Sequence, residues 1–297
     1  MKTNTVKSDI LMLVASAIWG FAFVAQRIGM DYVGPFIYNG IRFALGSLIL
    51  LPYVLIKRKN LSGKRPVKSY LPGCIITGVV VFCGATLQQI GIIYTSAGKA
   101  GFITGLYVIL VPIFGIFLHK KTHTGTWIGG LLAIIGLFLL SVKGDFTISA
   151  GDLLILGSAV FWAFHLYLVD EMTSKISAIF LAFIQFAICS IFSLVCAFLF
   201  ETTSVKSIFD AAMPILYGGL LSVGIAYTLQ VIAQKKAHPA HAAIILSLEG
   251  VFAVIGGIII LNESLEFKGL AGCFLMLAGM LASQMKGIFF KKDRIKS

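Results

Sequence analysis

One carboxylate stands alone in the apolar run from Ile244 to Ile260, that of Glu249. Deep in a membrane an ionised carboxylate is costly unless it meets water, a cation or a proton. Glu249 is therefore a candidate for proton coupling or for holding a cationic group of a substrate. The plainer alternative is a hydrogen-bonded glutamate that ties helices together. Amides join it: Gln88 and Gln89 in one apolar stretch, Gln230 in another and Gln26 in a third. Each offers both donors and acceptors, and in lipid each must face protein or a cavity. Trp19 and Trp162 stand in the middle of apolar runs, away from the interfacial positions tryptophan favours. An indole there can wall a cavity against an apolar or cationic solute, or fill a helix interface. His165 follows Trp162 by three residues and is read as hydrogen-bonded structure or as a titrating group. Tyr107 and Tyr227 complete the candidate cavity. Lys99 stands at the end of a run, where it either snorkels or draws carboxylates into a vestibule. Arg42 is expected to snorkel or to pair with Asp31.

The elements that must position these groups are long apolar helices. Of the 297 residues 58% are hydrophobic and 12% charged, with a mean hydropathy of +0.97. Soluble domains are nearer one half apolar and one quarter charged. Apolar stretches fall at about 8–27, 36–57, 70–92, 98–118, 124–143, 151–170, 176–200, 211–234, 239–261 and 266–286, ten spans of roughly 20 residues. Their continuity, without two-residue alternation, predicts helices rather than barrel strands. The expected fold is all-α and integral to a membrane.

The net charge of +12 is explained by placement. With the N-terminus inside, the inner connections carry Lys2, Lys7, Lys57, Arg58, Lys59, Lys64, Arg65, Lys68, Lys120, Lys121, Lys175, Lys235, Lys236 and the basic run from Lys286 to Lys296. The outer side has Arg27, Lys99, Lys143, Lys206 and Lys268. This bias predicts a multi-pass protein of the cytoplasmic membrane with both termini cytoplasmic. It leaves no exposed basic domain for nucleic acid.

The chain also repeats itself. Asp9, Trp19 and Phe21 return as Asp152, Trp162 and Phe164, each 143 residues later; Thr86-Leu87-Gln88 returns as Thr228-Leu229-Gln230; Gly129 and Gly136 return as Gly272 and Gly279. Five spans per repeat, an odd number, turn the second copy upside down. Two inverted five-helix repeats, residues 1–148 and 149–297, would meet around a midplane site that opens to alternate sides. Two halves in one chain remove the need for dimerisation without forbidding it, so monomer and homodimer both stand.

The segment Ser16-Ala-Ile-Trp19-Gly20, Arg42-Phe43, Tyr94-Thr-Ser-Ala-Gly-Lys-Ala-Gly101, Leu248-Glu249-Gly250-Val-Phe-Ala253, Asn262-Glu263-Ser-Leu265 and the spacing of Gly272 and Gly279 together resemble the EamA-type members of the drug/metabolite transporter superfamily. The resemblance spans almost the whole chain. It implies ten helices in two inverted halves, a cavity lined by helices one, three, four, six, eight and nine, and export of small metabolites or drugs. The family often has proline directly after the positions of Tyr107 and Glu249; here stand Val108 and Gly250, with Pro112 a turn later. The kink of span four is accordingly expected to move toward Pro112 and that of span nine to soften.

Other chemistries lack their residues. There is no phosphate-cradling Gly-x-x-x-x-Gly-Lys-Ser/Thr, no Gly-x-Ser-x-Gly and no His-Glu-x-x-His. An intramembrane enzyme is thus the weaker reading. The histidine pairs His119/His123 and His238/His241 lack cysteine or carboxylate support, so neither metal nor cofactor is expected. The five cysteines all fall inside apolar runs, as packing residues rather than a disulfide framework. A secondary transporter of amino-acid-like, amine or aromatic solutes, coupled to protons or facilitating without coupling, is the reading these residues favour.

Overall fold

A computed structural model describes residues 2–57, 61, 66–119, 124–141, 149–262 and 267–284. Fourteen α-helices carry them, with short 3-10 turns before and after the third. They are α1 (Lys2–Gly29), α2 (Pro35–Ile56), α3 (Leu71–Gly91), α4 (Ala97–Gly105), α5 (Tyr107–Phe117), α6 (Thr124–Ser141), α7 (Ala150–Thr173) and α8 (Ala178–Phe200). There follow α9 (Val205–Asp210), α10 (Ala212–Leu216), α11 (Thr228–Gln234), α12 (Pro239–Leu246), α13 (Glu249–Leu261) and α14 (Phe267–Gln284). A π-helical stretch, Tyr217–Tyr227, joins α10 to α11.

Starts are set by local chemistry. Ser149 and Asp152 form a reciprocal capping box at α7. Pro35 and Pro239 occupy the first turns of α2 and α12, where a missing N–H costs nothing.

Among the described residues eight helical segments are long and apolar enough to cross a membrane: Val6–Gly29, Pro35–Ile56, Val67–Tyr94, Ala97–Phe117, Ala150–Thr173, Ala178–Phe200, Ala212–Gln234 and Pro239–Leu261. The expected spans five and ten correspond to α6 and α14, whose apolar stretches Thr124–Gly136 and Phe267–Gly279 are shorter. Many of the basic residues behind the charge bias, Arg58, Lys59, Lys64, Arg65, Lys120, Lys121, Lys143 and those from Lys286 onward, lie outside the described residues, as do His123 and Glu263.

The largest helix contacts all join residues before 142 to residues after 149: α6 with α14, α2 with α8, α3 with α7 and α8, α1 with α13. The α6–α14 contact is reciprocal. A Cβ on Gly136 would lie 2.5 Å from the Gly272 carbonyl oxygen, and one on Gly279 would lie 2.6 Å from that of Gly129. Residue 136 thus meets 272 while 129 meets 279, so the helices run antiparallel, and only glycine lets the backbones approach this closely.

Spans four and nine are each broken. Leu106 and Leu248, 142 residues apart, have the same dihedrals, φ −62° and ψ −11°. Around them hydrogen bonding tightens to the third residue back, as in Leu106 N–H to Ile103 (3.2 Å) and Leu248 N–H to Ile245 (3.2 Å). This corrects the expected kinks. The span-four break precedes Tyr107 rather than moving to Pro112, and span nine breaks before Glu249 with the same dihedrals, because a local 3-10 turn needs no proline.

Candidate functional site

The breaks point inward. Tyr107 opens α5 and Glu249 opens α13, and both line a buried cavity of about 40 Å³, room for water but not for an organic solute. Three side chains of α1 (Trp19, Phe23, Gln26) form one wall, with Gln88 of α3 beside them. Trp162, His165 and Leu166 of α7 face them. Tyr227 and Gln230 come from the π-helical stretch and α11, Arg42 from α2, and Thr104, Ser222 and Leu246 fill the remaining lining.

Hydrogen bonds hold the walls in register. Trp162 Nε1 donates to Gln88 Oε1 at 2.8 Å, and Gln88 Nε2 donates to Gln26 Oε1 at 3.2 Å, a chain across three helices. His165 Nε2 lies 3.0 Å from Gln185 Oε1. Trp19 Nε1 donates to the Ser222 carbonyl at 3.2 Å, inside the π-helical stretch, and the Trp19 ring meets Tyr227 edge-on at 4.6 Å. Such a wide turn presents carbonyls that a regular helix would occupy.

Glu249 is 4% exposed, interacts with the Tyr107 side chain, and keeps one oxygen, Oε1, without a hydrogen-bond partner. Gln230 Oε1 and Thr104 Oγ1 are likewise unpartnered. Buried polar atoms without partners are uncommon, and here three cluster on one cavity.

Two expected residues sit elsewhere. Gln89 is fully buried off the cavity, donating from Nε2 to the Gln26 carbonyl at 3.3 Å. Lys99 is engaged with Asp152, Nζ to Oδ2 2.6 Å. Its repeat counterpart His241 contacts Asp9, Nε2 to Oδ1 3.0 Å. Asp9 and Asp152 are themselves a repeat pair, so one contact is made twice, each time between the two repeats.

Arg42 departs most from expectation. It is 3% exposed, its Nε donates to Asn39 Oδ1 at 2.9 Å, and its guanidinium lies over the Tyr38 and Phe43 rings at 5.3 and 5.0 Å. Asp31 pairs with Arg27 instead, at 3.0 Å. Arg42 does not reach for the interface because Tyr38, Asn39 and Phe43 hold it on the protein side. With Phe23 and Thr104, it is a cavity residue that polar patterning along the chain did not single out.

A sequence profile of the EamA-like transporter family matches residues 6–142 and again 149–284. An uncharacterized transporter of Archaeoglobus fulgidus is 32% identical over 282 residues, 94% of this chain and 86% of that protein. The uncharacterized transporter YoaV of Bacillus subtilis is 25% identical, covering 93% of this chain and 96% of its own. A crystal structure described only as that of a protein has the same fold, with a TM-score of 0.76 at 16% identity, over 94% of this chain and 96% of the other. With its apolar helices and this double match, the chain is a multi-pass membrane protein that belongs to the EamA-like transporter family.

Proposed function

We propose that the chain is a secondary active exporter of small metabolites or drugs, working by alternating access between two inverted five-helix repeats, residues 1–148 and 149–297. The observation that carries this reading is the matched break of spans four and nine at one cavity. Discontinuous helices meeting at a repeat interface characterise transporter binding sites, where half-helix ends face the solute. Ten helices then span the cytoplasmic membrane, α6 and α14 included, with both termini inside.

The cavity has room for water but not for an organic solute, so the repeats must separate to admit one. The two repeat-related pairs lie where that separation acts: Lys99 with Asp152 clasps the start of α4 to the start of α7, and His241 with Asp9 clasps α12 to α1. Inversion puts the pairs at opposite ends, so one opens while the other holds. Glu249 is the proton-coupling candidate, alternately taking up a proton and releasing it for solute.

The test has two stages. Media from cells with and without the protein are compared for metabolites, and the solute that accumulates is then used in proteoliposomes with a pH-sensitive dye. Solute-dependent proton flux, lost in Glu249→Gln, is expected. Transport without a pH response, retained in Glu249→Gln, would make the protein an uncoupled facilitator.

A further inference from the structure

Arg42 brings five N–H donors to the cavity and uses one of them, Nε, on Asn39. Its two terminal nitrogens have no hydrogen-bond partner among the described residues. They are not sealed in protein either, since they are not among the enclosed orphan atoms and Arg42 lines the cavity. Cation–π contacts with Tyr38 and Phe43, together with the Asn39 hydrogen bond, hold the guanidinium in place. A fixed guanidinium with two free parallel donors matches the two oxygens of a carboxylate.

An acidic side chain, Glu249, lines the same cavity. No ion pair joins Arg42 to Glu249. Tyr227 lies within electrostatic reach of both, and Glu249 keeps Oε1 free. Between a cationic and an acidic group, with Trp19, Trp162 and Tyr227 as walls, a solute is held best if it carries a carboxylate at one end and an ammonium close by. The repeat makes this one-sided: the position 143 residues after Arg42 is Gln185, which binds His165.

We propose that Arg42 is the carboxylate-recognising residue of the cavity and that the solute is a small zwitterion of the α-amino-acid kind, its ammonium directed to Glu249. This rests on reading the cavity as the transport site, but it concerns binding and is tested by binding alone. In detergent-solubilised protein, fluorescence of the cavity tryptophans is followed on adding valine or phenylalanine, each beside its amide and its decarboxylated amine. One amino acid or both are expected to bind at least about tenfold more tightly than the matching amide and amine. Arg42→Gln is expected to erase that preference by weakening the amino acid and not the amine. Arg42→Lys, which keeps the charge and loses the fork, should retain part of it, and thermal unfolding of both variants reports folding. Equal binding of amine and amino acid, binding of neither amino acid, or full preference in folded Arg42→Gln would each overturn the proposal. Selective binding without transport would instead count against the transport reading and leave this one standing.

Discussion

Lys99 with Asp152 and His241 with Asp9 are the same contact made at two places with different chemistry. At the first, a lysine meets a carboxylate that also accepts the Ser149 N–H at 2.7 Å, so pairing and helix initiation share one side chain. At the second, an imidazole charged only when protonated meets an aspartate already seven residues into α1, where no cap depends on it. The repeat therefore preserved the joining of α4 to α7 and of α12 to α1 while letting the two joints differ in chemistry. On the alternating-access reading proposed above, such inequality biases which end rests open.

The comparison breaks most readily at its stronger member. Asp152→Ala removes both the ion-pair acceptor and the capping box, and is expected to cost about 2–4 kcal/mol, read as a lowered unfolding temperature in detergent. Asp152→Asn, able to keep the cap, should recover roughly half of that. The reciprocal glycines test symmetry itself: Gly136→Ala and Gly279→Ala each push a methyl into a carbonyl oxygen and are expected to cost about 1–3 kcal/mol, equally. A clear inequality between them would mean that the α6–α14 contact is not two-fold. Asp9→Ala should cost about 1 kcal/mol, and a loss as large as that of Asp152→Ala would abolish the difference between the joints. The smallest effect is expected from exchanging the cations, Lys99→His with His241→Lys. Each joint keeps a partner, so stability should move by less than about 1 kcal/mol, while the initial rates of uptake and export in oppositely oriented vesicles should shift in opposite senses.

How much of this was legible follows from what lipid enforces. Long apolar runs announce helices because an unsatisfied backbone cannot cross hydrocarbon. Trp19, Gln26, Gln88, Trp162 and Glu249 announce themselves because polar or bulky groups at that depth must turn inward. Gln89 misleads because its neighbour Gln88 already takes the cavity direction, and consecutive helical residues point about 100° apart. Arg42 is hidden by its length: a long basic side chain in a span can reach the interface, and only the packing of Tyr38, Asn39 and Phe43 decides that it does not. The breaks at Leu106 and Leu248 leave no composition signal, because leucine is a good helix former and the turn is imposed by packing around it. The π-helical stretch is invisible for a related reason. Thr86-Leu87-Gln88 and Thr228-Leu229-Gln230 are the same triplet, yet the first lies in the regular α3 and the second follows the wide turns whose Ser222 carbonyl accepts from Trp19 and whose Tyr217 hydroxyl donates to the Ile18 carbonyl of α1.

The interleaving of the helices bears on how the protein is made. Since α1, α2, α3 and α6 find their main partners in α13, α8, α7 and α14, the first repeat leaves the ribosome with its packing faces uncovered. It must wait in the bilayer for the second. Quality control therefore has a long window in which to act, and a chain cut near residue 148 is expected to accumulate only when the missing piece is synthesised in the same cell, with the two fragments assembling after insertion.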